Sequence, residues 1–153
     1  MNKISIIVII VGTLFFTSCS GVKNVLASNT ATTEGTTAGA ACGKVLSSLY
    51  TQYKSTGKVD VNNATTLLSI GELSTSIGSL KNNMKNTSYL GTFAQGIVSG
   101  SNGLVNSNNS MSTVSSLLSL SSLSNITSTT PASSSTATSV ASGLTTLFNN
   151  LKK

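Results

Sequence analysis

The sequence predicts an all-α fold, a small bundle of about five amphipathic helices behind a signal segment and a flexible tether. From residue 37 on, apolar residues recur at three- and four-residue steps, which is the period of an α-helix. No segment alternates strictly between apolar and polar residues, as a half-buried strand would. We therefore divide the chain into a signal segment at 1–18, a tether at 19–36 and one helical domain at 37–153.

The first two helices are predicted from their apolar faces, and turn residues mark their ends. Gly57 is expected to end the first helix, and Asn62 or Asn63 to cap the second, where Asp60 suits the helix dipole. The first apolar face consists of Cys42, Val45, Leu46, Leu49, Tyr50 and Tyr53. The second consists of Ile70, Leu73, Ile77, Leu80 and Met84, preceded by Ala64, Leu67 and Leu68.

Three more helices follow. Ser88 is expected to cap the third, and Gly100 and Gly103 to break it early. The fourth begins near Ser110, and residues 124–135, with eight Ser/Thr and Pro131, are predicted as a loop. The apolar positions of the third helix are Leu90, Phe93, Ala94, Ile97, Val98, Leu104 and Val105. Those of the fourth are Met111, Val114, Leu117 and Leu118, extending to Leu120 and Leu123. Those of the last are Ala137, Val140, Ala141, Leu144, Leu147, Phe148 and Leu151, followed by Lys152 and Lys153.

The polar positions are unusual because Ser, Thr and Asn stand where Glu and Lys normally sit. Together these three residue types make up 66 of 153 residues, whereas charged residues make up 8%. Their side chains compete for backbone hydrogen bonds and offer no charge pairing, so packing rather than helix propensity must hold the helices. With no His, three acidic residues and two Cys, the chain lacks the groups that most acid/base and metal chemistry uses.

The N-terminus has the three parts of a secretory signal. A basic start, Met1-Asn2-Lys3, precedes residues 4–16, of which 10 of 13 are strongly apolar, and small residues follow. A membrane-spanning helix needs about 20 apolar residues, so this run is too short to be one. Phe16-Thr17-Ser18-Cys19 resembles the lipobox of bacterial lipoproteins, with Phe16 in place of the more common Leu.

The lipoprotein resemblance implies that the sulfur of Cys19 receives a diacylglycerol, that cleavage precedes Cys19, and that its new amine is acylated. Two or three acyl chains hold a protein on a membrane almost permanently. No acidic residue follows Cys19 until Glu34. By the same resemblance, that pattern favours the periplasmic leaflet of an outer membrane. We expect residues 20–36, which have no sustained period, to form a flexible tether with a reach of roughly 20–25 Å.

The remaining candidate sites are interpreted as structural. Cys42 lies on an apolar face and is expected to be a buried core residue, with a disulfide between two copies as the alternative. The GxxxG of Gly96 and Gly100 is expected to pack helices closely or to mark a helix end, and Gly71 and Gly78 to let a neighbouring helix approach. Glu34, Asp60 and Glu72 are too scattered to suggest a paired-carboxylate hydrolase.

The scattered lysines, with no arginine and few aromatic residues among them, do not predict nucleic-acid binding. We expect them to keep the surface soluble near anionic headgroups. No cofactor or metal ligand set is predicted, and no enzyme activity. The one enzyme chemistry that the composition permits is a Ser nucleophile with a Lys base.

The mature region resembles small Ser/Thr/Asn-rich helical lipoproteins of gut-type Gram-negative bacteria, a likeness of texture that implies no activity. We expect a non-enzymatic, lipid-anchored envelope protein with a structural or partner-binding role. The alternative is a small carrier of an apolar ligand such as a lipid, held at the membrane.

Overall fold

The structure, a computed structural model, describes residues 26–120 and 134–152, and all regular structure in these residues is α-helical. This confirms the all-α bundle. In chain order the helices are α1 (Leu26–Thr56), α2 (Ala64–Asn82), α3 (Thr87–Gly100), α4 (Ser110–Ser119) and α5 (Ser134–Leu151).

Helix α1 is the central element of the bundle. Its 31 residues span about 46 Å, and its predicted apolar face is buried from Cys42 to Leu49. As predicted, the helix ends before Gly57, which has φ +74° and donates its N–H to the carbonyl oxygen of Tyr53 at 2.8 Å. A positive φ costs glycine little, which explains the stop at this residue.

The predicted tether at 19–36 is too long, because α1 already begins at Leu26. Residues 26–36 are therefore helical, and only 20–25 remain between Cys19 and the first helix. Their Thr, Ala and Gly content is typical of a linker, but it serves packing here. Gly35 and Gly39 lie against the backbone of α3, where larger side chains would not fit.

Helices α1 and α3 run parallel and touch along five glycines, which we call the glycine seam: Gly35, Gly39, Gly43, Gly96 and Gly100. A Cβ on Gly35 would lie 2.9 Å from the carbonyl oxygen of Tyr89, and one on Gly43 would lie 2.9 Å from the backbone nitrogen of Ser101. From the other side, a Cβ on Gly100 would lie 2.9 Å from the Cα of Ala40. The prediction of close packing at Gly96 and Gly100 is confirmed.

The same prediction is wrong for Gly71 and Gly78 of α2. Nothing lies within 4 Å of a Cβ built on either residue, so neither lets a helix approach. Helix α2 instead packs through the opposite, aliphatic face, where Ile70, Leu73 and Ile77 are fully buried.

Helix α2 runs antiparallel to α1. The side chains of Gln52 and Thr66 hydrogen-bond each other at 2.7 Å near its start, and Glu34 lines a groove with Ser79 near its end. The N-cap is Asn63, whose Oδ1 accepts from the N–H of Thr65 at 2.8 Å.

Met84 was expected on the apolar face of α2, but the helix ends at Asn82. Met84 is 51% exposed in the turn that follows. The three- and four-residue period runs past the point where Asn83 ends the helix, so periodicity alone overestimates its length.

Helix α3 begins two residues earlier than predicted. Its N-cap is Asn86 rather than Ser88, with Asn86 Oδ1 accepting from the N–H of Tyr89 at 3.1 Å. The helix ends at Gly100, and Leu104 and Val105 lie in the loop beyond it. Buried Ser101 closes that loop, since its Oγ accepts the N–H of Val105 at 3.1 Å.

Helix α4 begins at Ser110, as predicted, and buries Val114 and Leu117. Met111, expected on that apolar face, is 51% exposed instead. Leu123, predicted as an extension of α4, lies outside the described part of the chain. So do residues 124–133 of the predicted loop, whereas its last two residues, 134 and 135, belong to α5.

Helix α5 packs its C-terminal half on the C-terminal part of α1, which we call its upper part. The ring of Phe148 lies 5.4 Å from that of Tyr50 and 5.6 Å from that of Tyr53. Tyr53 also donates its hydroxyl to Asn149 Oδ1 at 2.8 Å. These rings close the core at the end of the bundle where α1 extends beyond α3.

The polar surface is largely uncharged, and many of its hydroxyls bond to the helix backbone. Thr51, for example, donates to the carbonyl oxygen of Ser47 at 2.9 Å, four residues earlier. No Asp, Glu, Lys or Arg occurs between Lys85 and Lys152, so α3 and α4 carry no charged side chain. Among the described residues, every buried side-chain nitrogen or oxygen has a hydrogen-bond partner.

Candidate functional site

The predicted lipid attachment residue, Cys19, lies outside the described residues. The structure nevertheless fixes how much chain follows it before the fold begins. Residues 20–25 separate Cys19 from Leu26, and the seven Cα–Cα steps between the two span at most about 25 Å when extended. A lipid on Cys19 would therefore hold the N-terminal end of α1 close to the bilayer.

Cys42, the second cysteine, lies in the middle of the core. It is a free thiol with 0% exposure, among residues of the predicted apolar face. Burial raises the pKa of this thiol to about 12, because the surrounding core does not solvate a thiolate. The prediction of a buried core residue is confirmed, and a disulfide to a second copy would require the core to open.

The three carboxylates lie on different parts of the bundle. Glu34 is exposed on the lower part of α1, and Glu72 is exposed on α2. Asp60 follows the upper end of α1, where its Oδ1 accepts the N–H of Asn62 at 3.0 Å. Thr56, the last residue of α1, comes 22 residues after Glu34, which places Glu34 and Asp60 about 30 Å apart along the axis.

The part of the chain that the structure describes contains no cluster of three or more His, Cys, Asp or Glu residues suited to a metal ion.

A groove lined by described residues lies between the N-terminal part of α1 and the end of α2. Its volume is about 460 Å³, and it is open to solvent. Hydroxyl-bearing residues and two alanines form the walls, whose surface is mostly apolar, and Glu34 is the one ionisable group among the lining residues. The hydroxyl residues are Thr33, Thr37, Thr75, Ser76 and Ser79.

A second open groove of about 380 Å³ lies between α3 and α4. Gly91, Ala94 and Val98 form one wall, and Ser110 and Met111 belong to the other. No lysine lines either groove, so neither provides a Lys base beside a Ser nucleophile.

The described lysines are dispersed over the bundle, and Lys44 is exposed in the middle of α1. Lys54 and Lys58 lie at and beyond the C-terminal end of α1, and Lys81 and Lys85 lie at the opposite end, around the α2–α3 turn. A nucleic-acid backbone is usually bound by lysines and arginines clustered on one face.

The sequence contained a signal that the tether interpretation missed. Gly35, Gly39 and Gly43 stand four residues apart, which puts them on one face of a helix. Apolar periodicity does not detect such a face, because glycine packs through its backbone. A search for small residues at four-residue spacing would have extended α1 toward the N-terminus.

No protein-family model, no curated protein and no solved structure matches this chain. Of the helices described, none has the length and apolar content needed to cross a membrane. Two features of the chain suggest a function. They are the sequence around Cys19 and the end of the bundle where α1 begins.

Proposed function

We propose that the chain is a lipid-anchored bacterial cell-envelope protein with a non-enzymatic role, structural or partner-binding. The observation that carries this proposal is the order of residues at the N-terminus. A basic start, a 13-residue apolar-rich run and Phe16-Thr17-Ser18-Cys19 follow one another as in a lipoprotein signal. The sulfur of Cys19 is the attachment point for the lipid.

The folded domain supports this arrangement in two ways. Cys42 is buried, which leaves Cys19 as the cysteine available for modification. The short stretch from 20 to 25 then holds the domain next to the bilayer rather than at the end of a long flexible chain.

The non-enzymatic part of the proposal is supported by the chemistry of the described side chains. The Cys42 thiol is buried and protonated, Glu34 and Asp60 lie at opposite ends of α1, and both grooves lack lysine. General acid/base catalysis needs a group with a suitable pKa within hydrogen-bond reach of a substrate. A partner, by contrast, can use the uncharged helix surfaces directly.

The location that we propose is the periplasmic face of an outer membrane. The support is the sequence after Cys19, Ser20-Gly21-Val22-Lys23-Asn24, which contains no acidic sorting signal. Separation of inner and outer membranes on a density gradient, followed by protease treatment of intact cells, tests both the membrane and the leaflet.

The anchor is tested by labelling cells with palmitate and comparing wild type with Cys19→Ala and Cys42→Ala. We expect wild type and Cys42→Ala to carry label and to pellet with membranes, and Cys19→Ala to lose the label. The Cys42→Ala control shows that label reports on one sulfur. Unlabelled wild-type protein that retains Met1, or that stays in the aqueous fraction, would refute the anchor.

The partner-binding role needs a separate experiment. Envelopes solubilised in mild detergent should yield a stoichiometric partner when the intact lipidated protein is isolated. A partner that binds the folded surface should be lost when the domain is unfolded by urea and recovered on refolding. Repeated isolation of the chain alone would count against partner binding and leave a structural role.

The alternative function, a carrier of an apolar ligand, is favoured by one observation, the 460 Å³ groove between α1 and α2. Ligand sites commonly have volumes of about 300–1,000 Å³, although they are usually more enclosed. Native mass spectrometry after delipidation should detect a bound lipid if this function holds. Ala41→Phe should abolish that binding by filling the groove, whereas Ser48→Phe, exposed on α1 outside it, should not.

A further inference from the structure

We propose that the α2–α3 turn, residues 83–86, is a membrane-contact tip that rests on an anionic lipid surface, with Met84 in the headgroup layer between Lys81 and Lys85. This inference rests on the proposed lipid anchor and goes beyond it, because it assigns the surface of the fold that faces the bilayer and the lipid chemistry that it prefers.

The glycine seam identifies which end of the bundle carries the turn. Gly35 lies against Tyr89 and Phe93, and Gly43 lies against Gly100 and Ser101, so α1 and α3 point the same way. The N-terminal ends of α1 and α3 are therefore at the same end of the bundle. The α2–α3 turn leads directly into α3, so it is at the end of the bundle where α1 begins.

Distances along the axis of α1 also place the α2–α3 turn nearer to the start of α1 than to its C-terminal end. Gly35, beside the first turn of α3, is nine residues or about 14 Å from Leu26. A further stretch of at most about 25 Å of extended chain leads from Leu26 to Cys19. Gln52, which marks the upper end through its bond to Thr66, is another 17 residues or about 25 Å farther away.

Met84 is held in position rather than left on a loose loop. Its N–H donates to the carbonyl oxygen of Lys81 at 3.3 Å, and the N–H of Asn86 donates to that of Asn83 at 2.9 Å. Asn83 Nδ2 also donates to the carbonyl oxygen of Ser79 at 2.9 Å. Despite this order, the thioether side chain is 51% exposed, at a position where the core has no place for it.

The charges around Met84 match an anionic surface. Lys81 and Lys85 stand three residues before and one residue after it, and no acidic residue occurs between Glu72 and the C-terminus. The nearest carboxylate along this side is Glu34, which lines a groove with Ser79, one helical turn before Asn83. Each lysine close to anionic headgroups raises partitioning about fivefold, and a partly exposed apolar side chain adds to it.

Three exposed apolar residues provide labelling positions from which the orientation of the bundle on the membrane can be measured. Met84 and Met111 are both 51% exposed, and Leu68 is 71% exposed. Met84 lies at the proposed tip, Met111 beside the middle of α3, and Leu68 close to Thr66 at the upper end. Single replacements by Cys at these positions therefore differ mainly in distance from the anchor.

The experiment uses the full lipidated chain in vesicles of phosphatidylethanolamine and phosphatidylglycerol, with a fluorophore on Met84→Cys, Met111→Cys or Leu68→Cys. The native cysteines should not react, because Cys42 is buried and Cys19 is acylated. Quenching by headgroup-labelled lipid should be strongest at 84, weaker at 111 and weakest at 68, in the order of their distance from the start of α1. Phosphatidylcholine vesicles, or Lys81→Gln with Lys85→Gln, should reduce the quenching at 84.

Each outcome decides the proposal. Equal quenching at all three positions would show a bundle lying on its side, and no quenching at 84 would show a domain held away from the bilayer. Either result overturns the membrane-contact tip while leaving the anchor intact, provided that the protein floats with the vesicles. Failure of the wild-type protein to float or to take up palmitate overturns the anchor, and this proposal with it.

Discussion

The glycine seam predicts that one added methyl group changes stability in opposite directions at two helical glycines. In Gly39→Ala, the new Cβ would overlap the carbonyl oxygen of Phe93 and lie 2.9 Å from its carbonyl carbon and 3.0 Å from its Cα. These are backbone atoms of α3, so no change of rotamer relieves the overlap. The two helices must separate.

The size of the effect follows from that separation. Ordinary Cβ contacts begin at 3.4 Å, so α1 and α3 must move apart by about 1 Å, a gap that forfeits up to about half of the contact energy along it. We expect a loss of about 3 kcal/mol, the upper end for overpacking, because the obstruction is rigid. Alanine returns about 1 kcal/mol of helix propensity, which leaves a net destabilisation of about 2 kcal/mol.

The matched control is Gly78→Ala on α2, where nothing lies within 4 Å of the added Cβ. It should raise the free energy of unfolding by about 0.5–1 kcal/mol. The assay is urea unfolding of residues 20–153 followed by circular dichroism, in which Gly39→Ala should lower the midpoint by about 1 M. Adding Gly96→Ala should cost less than its single effect, because the helices have already separated.

A Gly39→Ala midpoint that rises as the Gly78→Ala midpoint does would refute the direct backbone packing of α1 on α3.

Three further outcomes are expected. Asn63→Ala should lower the free energy of unfolding by about 1 kcal/mol because it removes the N-cap of α2. The control Asn62→Ala replaces an exposed side chain and should change the free energy of unfolding by less than about 0.5 kcal/mol. Equal losses for the two variants would argue against the cap. Because burial raises the pKa of the Cys42 thiol from 9.0 to about 12, the unfolded chain loses this proton first as pH rises. The stability difference between wild type and Cys42→Ala is then fully present below pH 9 and should fall toward pH 12 by at most about 1.4 kcal/mol per pH unit, and a pH-independent difference would contradict this. Phe148→Ala should cost about 3–4 kcal/mol and weaken the near-ultraviolet signal of Tyr50, and a cost under about 1 kcal/mol would show that α5 does not pack on α1.

Apolar periodicity predicted most of the helices because large side chains fill most of the core. The face from Cys42 to Leu49 and the stop at Gly57 both follow from residues whose physical effect is local. The same reasoning placed Met84 and Met111 in the core, where the structure leaves both half exposed. The period of the apolar residues does not show where a helix ends or how wide its contact face is.

The N-terminal part of α1 could not be predicted in this way, because its packing uses the absence of side chains. Gly35, Gly39 and Gly43 contribute contact through backbone atoms, and their Thr and Ala neighbours resemble a linker in composition. Gly71 and Gly78 show the converse, since small residues at helical spacing can also face open space. Which glycines form an interface depends on the partner helix, which one sequence does not specify.

The candidate site has one part that the sequence predicts, at Cys19, and one part that depends on the fold, at the α2–α3 turn. The lipobox at Cys19 is a local pattern that sequence alone displays, and it stays a prediction because it lies outside the described residues. The position of the α2–α3 turn at the anchor end depends on the direction in which α1 and α3 pack. No local pattern contains that direction, so the surface that we propose faces the bilayer could not be chosen from the sequence alone.

The absence of ionic side chains from α3 and α4 has a kinetic consequence for any protein that docks there. A surface without fixed charges does not steer a diffusing molecule, so encounters should proceed at the unassisted rate of about 10⁵–10⁶ M⁻¹ s⁻¹ and be indifferent to ionic strength. Confinement of both molecules to one lipid sheet would offset that slow search by raising their effective concentration. Recognition on this face would then depend on shape and on the lifetime of the complex, with collision frequency set by the membrane.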